Sequence, residues 1–136
     1  MGSYQYELAA PPDLPRHREL WLQHATGFIL FEDVREYAIE RLDPDLSVEA
    51  RAAAVKAIDD AVYGLMMVID GVSGCLFGPT QKVQMRFVTQ LLNYEDEVEF
   101  ELDLARGDGS CMGFHGWIVG DFGEDPIANR RHPEGK

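Results

Sequence analysis

A near-continuous apolar run at residues 61–69, between the acid pair Asp59 and Asp60 and the lone Asp70, constrains the fold of this chain most strongly. Asp45 and Ser47 are suitable helix caps, so the pattern predicts a helix from about residue 47 to residue 72. The apolar run is far shorter than the roughly 20 residues that a membrane-spanning helix requires. The segment therefore predicts a buried helix of a globular protein rather than a membrane anchor.

The arrangement of side chains around this helix predicts which side is buried. At about 100° per residue, Asp59, Tyr63, Met66 and Asp70 share one side. Apolar residues fill the remaining arc, namely Ala54, Val55, Ile58, Ala61, Val62, Leu65, Val68, Ile69 and Val72. We expect the helix to be buried on most of its circumference, and Asp70 to accept hydrogen bonds from the glycine-rich loop at residues 71–74.

The residues before this helix predict a short strand followed by another long helix. Tyr4, Tyr6 and Leu8 alternate with polar residues, which is typical of an edge strand. Apolar residues then recur at three- and four-residue steps from about residue 15 to residue 42, with Gly27 as a candidate kink. Pro44 disfavours helical geometry for the residue before it, so it ends this helix.

The second half of the chain has the two-residue period of β-strands. Residues 83–91 and 98–104 alternate between apolar and polar side chains, and residues 112–122 are interpreted as a third strand. These patterns predict an α+β fold of two layers, with two long helices packed on one face of a three- to four-stranded antiparallel sheet that ends in a meander. We expect one domain over residues 1–125 and a flexible tail over residues 126–136.

The charge balance narrows the class of partner. The chain has 24 acidic and 12 basic residues, for a net charge of −12. Because phosphate binding is driven by clustered lysine and arginine, this charge argues against nucleic acid and against an anionic membrane as the main partner. The N-terminus lacks a basic region followed by an apolar stretch, so we expect the protein to stay in the cytoplasm. We also expect a bacterial source.

The acidic segment at residues 95–103 is the strongest local feature. Alternation places Glu97, Glu99, Glu101 and Asp103 on one strand face at about 6.8 Å spacing, with Arg86 opposite Asp103. One interpretation is a solvated outer face that prevents aggregation of the sheet. The other is a docking surface for a basic protein partner.

The third predicted strand suggests a second use of the same face. A five-residue loop at 106–110 would bring His115 and Trp117 beside Glu99 and Glu101. Such a cluster could hold a divalent metal or relay a proton, although a register slip of one residue would turn every side chain over. Trp117 with Val119 would also form an exposed apolar patch, from which we expect a homodimer.

Cysteine usage and motif content limit the remaining function classes. Cys75 and Cys111 belong to no Cys-x-x-Cys pair and are expected to be free thiols that are buried or half-buried. The sequence carries no cofactor or metal motif. The favoured hypothesis is an acidic interaction module, such as a binder, an inhibitor or an immunity-like protein, without a cofactor. The alternative is a small enzyme or ligand-binding protein that uses His115 with the nearby carboxylates.

Overall fold

The chain folds as α+β in a computed structural model that describes residues 2–123 and 125–129. The helical segments are α1 (Pro15–Leu30), a π-helical turn (Phe31–Glu36), α2 (Tyr37–Glu40), α3 (Val48–Ile69) and α4 (Ser110–Trp117), with short 3-10 helices at Ser3–Gln5 and Leu104–Arg106. The strands are β1 (Glu7–Leu8), β2 (Cys75–Phe77), β3 (Lys82–Gln84), β4 (Val88–Leu92), β5 (Val98–Asp103) and β6 (Ile127–Asn129).

The strands form three separate antiparallel pairs within the described residues: β1 with β6, β2 with β3, and β4 with β5. They do not form the three- to four-stranded sheet that the sequence predicts. The strand predicted at residues 83–91 is divided, because β3 pairs with β2 while β4 pairs with β5. The third strand, predicted at residues 112–122, is wrong: residues 110–117 form α4, whose buried side chains Ser110, Phe114 and Trp117 follow the helical period.

Helix α3 begins where the sequence predicts. The hydroxyl of Ser47 accepts a hydrogen bond from the backbone N–H of Ala50 at 3.1 Å, which caps the helix. The expected burial is wrong, since only Val62, Met66 and Ile69 are buried and most of the apolar arc is half-buried or exposed. Met66, on the side that the sequence assigned to the acids, is completely buried, because α4 packs against that side.

Helix α1 is continuous through Gly27, the position that the sequence marks as a candidate kink. Gly27 instead allows a close approach, since a side chain there would overlap the indole ring of Trp117, and the same holds for Gly113 of α4. The indole of Trp117 therefore lies against backbone of both helices. The core around it consists of Trp21, Leu22, Phe28, Phe31, Val62, Met66, Ile69, Leu102, Leu104, Phe114, Trp117 and Phe122.

The two ends of the described chain meet in a short ladder. Leu8 lies opposite Ile127, and Glu7 lies opposite Asn129. The predicted N-terminal strand is thus reduced to residues 7–8, because residues 3–5 form a 3-10 helix. Strand β6 falls in the segment predicted as a flexible tail, and residues 130–136 of that segment lie outside the described residues.

Candidate functional site: the acidic face of the β4–β5 hairpin

The β4–β5 hairpin carries the acidic row, and the packing of its inner side determines which way the row faces. Leu102 of β5 is buried and Phe100 packs against the core. Because successive side chains of a strand point to opposite faces, Glu99 and Glu101 point outward, and both are exposed. The side chains of Glu97, Glu99, Glu101 and Asp103 are called the acidic face from here on.

The pairing of the two strands is displaced by two residues from the predicted register. Val88, and not Arg86, lies opposite Asp103, and Gln90 lies opposite Glu101. Since this displacement is an even number of residues, the side chains between the Val88–Asp103 and Leu91–Phe100 pairs stay on their predicted faces. A register shift follows at Leu92, which lies opposite Val98. Arg86 still reaches Asp103, with Nη1 donating to Oδ2 at 2.8 Å as the sequence predicts.

Three of the four carboxylates on the acidic face lack a cationic partner among the described residues. Asn93 donates to Glu97 at 2.8 Å and Gln90 donates to Glu101 at 3.0 Å, but both donors are neutral amides. Glu99 has no hydrogen-bond or ion-pair partner in the part of the chain that the structure describes. The outer side of the hairpin therefore presents unneutralised negative charge.

Asp103 differs from the other three because it is held by donors of its own. Partial burial opposes its ionisation, but hydrogen bonds from the Ala105 N–H and from Arg86 outweigh that effect, so the pKa of Asp103 lies below its ordinary value. Arg106 adds a weak attraction at 4.0 Å. Asp103 is thus a structural carboxylate, whereas Glu97, Glu99 and Glu101 have no charged partner among the described residues.

His115 and Trp117 do not belong to the acidic face, contrary to the prediction. Both are on α4, where His115 is exposed and its ring lies 5.8 Å from the ring of Tyr63. Trp117 is buried, and its Nε1–H donates to Nδ1 of His24 at 2.9 Å. The predicted cluster of His115 with Glu99 and Glu101 does not form, and the apolar patch expected from Trp117 and Val119 loses its larger member.

The sequence also missed the role of Asp70. Its two carboxylate oxygens accept the backbone N–H groups of Ser110 at 2.6 Å and Cys111 at 2.8 Å, so it caps α4. The sequence predicts hydrogen bonds from the loop at residues 71–74, but the two donors lie 40 and 41 positions further along the chain. Carboxylates stabilise a helix N-terminus because they satisfy free N–H groups and face the positive end of the helix dipole.

The thiol of Cys111 lies in the same cluster but is poorly suited to covalent chemistry. Burial, followed by the neighbouring Asp70 carboxylate, raises the pKa of Cys111 above its usual value. A hydrogen bond between Tyr63 and Cys111 in turn raises the pKa of Tyr63. Because the thiolate is the nucleophile, a raised pKa makes Cys111 a weaker nucleophile at neutral pH. Cys75 and Cys111 are both free, as predicted.

A shallow cleft of about 240 Å³ lies beside this cluster, between α3 and α4, and includes Asp59, Asp60 and His115. Both of its carboxylates already have cationic partners, since Arg35 binds Asp59 at 2.5 Å and Lys56 binds Asp60 at 2.7 Å. Across residues 2–123 and 125–129, no group of three or more histidine, cysteine, aspartate or glutamate side chains has the geometry to hold a metal ion.

The chain matches no family model, no curated protein and no solved structure. None of the helices within the described ranges combines the length and the apolar character that crossing a membrane requires.

Proposed function

We propose that this protein is an interaction module whose acidic face binds a basic surface on a protein partner. The observation that carries the proposal is the set of three exposed carboxylates, Glu97, Glu99 and Glu101, without a cation beside them. Glu95 and Asp96 are exposed in the adjoining turn and extend the negative surface. Opposite potentials accelerate association and select partners, so such a surface favours a cationic protein.

A contribution to the folding stability of the protein does not account for the acidic face. Like charges on one side of a strand repel one another, and exposed ion pairs of the Arg86–Asp103 kind contribute at most about 1 kcal/mol. Apolar packing of Leu102 and Phe100 on the opposite side already anchors the strand. A row of outward carboxylates is therefore available for recognition without being required for folding.

We further propose that the protein is cytoplasmic, uses no cofactor and binds a protein rather than nucleic acid. The net charge of −12 supports this choice, because a phosphate backbone would be repelled by the same surface that attracts a basic protein. We do not propose the enzymatic alternative, since His115 on α4 contacts Tyr63 and not the carboxylates of the acidic face.

The test is affinity capture from a bacterial lysate at low salt with three immobilised proteins. They are the wild type, the face variant Glu99→Gln/Glu101→Gln, and a control variant Glu40→Gln/Glu49→Gln, which removes the same charge from exposed helical positions. We expect to capture proteins that bind the wild type and the control but not the face variant. These proteins should elute when salt is added, because physiological ionic strength already screens exposed charges beyond about 8–10 Å. Equal capture by all three proteins, or no specific capture, would contradict the proposal.

Thermal melting of the same three proteins is the folding control. We expect the melting temperature of the face variant to equal or slightly exceed that of the wild type, because its substitutions relieve repulsion between exposed like charges. A lower melting temperature would mean that Glu99 and Glu101 serve stability, which the proposal excludes.

A further inference from the structure

The β2–β3 hairpin is largely exposed to solvent. Cys75 lies opposite Gln84, Leu76 opposite Val83 and Phe77 opposite Lys82. The two strands pack extensively against each other and, among the described residues, make no comparably extensive contact with any other helix or strand. This hairpin, residues 75–84, is called the arm.

Both faces of the arm carry exposed apolar side chains. Leu76 and Val83, which share one face, are 75% and 64% exposed, and Phe77 on the other face is 80% exposed. A two-stranded hairpin has little stability of its own in water, and a protein seldom leaves a contiguous apolar surface uncovered without a binding role. The arm therefore has the character of an element that is completed by a partner.

Charge indicates what that partner is. Residues 71–94, which include the whole arm, contain none of the 24 acidic residues but contain Lys82 and Arg86. Two copies of a chain with a net charge of −12 repel each other wherever their carboxylates face. The arm is a surface at which two copies can meet without bringing carboxylates together.

We infer that the arm is the homodimer interface, with the Leu76–Val83 face of one copy packed against the same face of a second copy. A contact of this kind is self-complementary about a two-fold axis, because each residue meets its counterpart or a neighbour of it. A cationic or acidic foreign partner is less suited to this apolar, acid-free face. The acidic face lies on the other hairpin and remains free in such a dimer.

The size of the arm limits its affinity. Standard stable interfaces bury about 800 Å² on each partner, which is more than the outer face of a short two-stranded hairpin provides. We therefore expect a reversible dimer with a dissociation constant in the micromolar range, about 1–100 μM.

Sedimentation equilibrium over a concentration series tests the interface with matched variants. The arm variant Leu76→Thr/Val83→Thr keeps the strand-forming character of both positions while removing apolar surface. The control Val48→Thr/Val119→Thr changes two valines that are 83% and 78% exposed elsewhere on the molecule. We expect dimerisation of the arm variant to weaken at least tenfold and that of the control to match the wild type. A monomeric wild type at about 200 μM, or equal weakening in both variants, would overturn the inference.

Salt provides a second readout, which separates this interface from the acidic face. Added salt screens the repulsion between two negatively charged copies, so we expect the wild-type dimer to tighten, whereas capture of a basic partner on the acidic face should weaken. The single variant Leu76→Glu inserts a carboxylate into the interface and should abolish the dimer at low salt, with unchanged circular dichroism. A dimer that weakens with salt, or that tolerates Leu76→Glu, would contradict an acid-free apolar contact.

Discussion

The β4–β5 and β2–β3 hairpins differ in how their side chains are covered. In the β4–β5 hairpin the inner side chains Leu102 and Phe100 pack into the core, and the outer side is acidic. In the β2–β3 arm both sides are exposed and acids are absent. Strand pairing alone therefore does not determine the role of a hairpin in this protein. What decides it is whether one side is covered by the chain itself.

Because of this contrast, we expect the two hairpins to contribute differently to the free energy of unfolding. Removing a buried side chain costs the lost transfer free energy and leaves a cavity, while truncating an exposed one removes contacts mainly with water. The β4–β5 hairpin should therefore influence folding, and the arm should influence association.

The largest expected effect comes from truncating one leucine in each hairpin. Leu102→Ala should lower the free energy of unfolding by about 2–5 kcal/mol, because Leu102 is only 7% exposed. Leu76→Ala should change it by less than about 0.5 kcal/mol, measured by urea denaturation at a dilution that keeps the protein monomeric. Similar losses for the two variants would show that the chain covers the arm after all.

Thiol reactivity compares the arm with the body in the unmutated protein. Cys75 begins the arm, while Cys111 is in α4 next to Asp70, where burial raises its pKa. Because the thiolate reacts, Cys75 should be alkylated at least about tenfold faster at neutral pH, as followed by mass spectrometry of digested protein. Faster modification of Cys111 would contradict the cluster that we describe around Asp70.

A smaller, pH-dependent effect is expected at the base of the β4–β5 hairpin. The folded pKa of Asp103 lies below its ordinary value, so its ionisation stabilises the fold above the unfolded pKa of about 3.9 and this contribution is lost as the pH falls through the folded pKa. Asp103→Asn should therefore lower the urea midpoint at pH 7 and leave it closer to the wild type at pH 3. Glu99→Gln, at a position without a partner, is the control and should show no such loss at pH 7. A difference between Asp103→Asn and the wild type that grows on acidification would contradict the assigned contacts.

Local patterns predicted the parts of the fold that depend on neighbouring residues. Ser47 caps α3 through a residue three positions away, and the alternation from Phe100 to Leu102 follows from the geometry of a single strand. The outward direction of Glu99 and Glu101 could be predicted from the sequence for the same reason. A register error of two residues did not matter, because strand faces repeat every two residues.

Helix α4 could not be predicted in this way, because apolar residues are so dense at positions 112–122 that they fit either period. Its cap, Asp70, is 40 residues away in sequence, and its closest packing depends on Gly27 of α1. These contacts exist only in the folded chain. The error moved His115 and Trp117 onto the wrong surface and created a catalytic hypothesis that the fold does not support.

We propose above all that the acidic face of the β4–β5 hairpin is the surface that recognises cations. The most direct test is to titrate the protein with an oligolysine peptide and to record the backbone amide chemical shifts by NMR. We predict that the amides of residues 97–103 shift first and saturate at the lowest peptide concentration, and that the effect disappears in Glu99→Gln/Glu101→Gln. Shifts of equal size near other exposed acids such as Glu40 and Glu49 would instead show that the peptide responds only to the net charge of −12, which contradicts the claim.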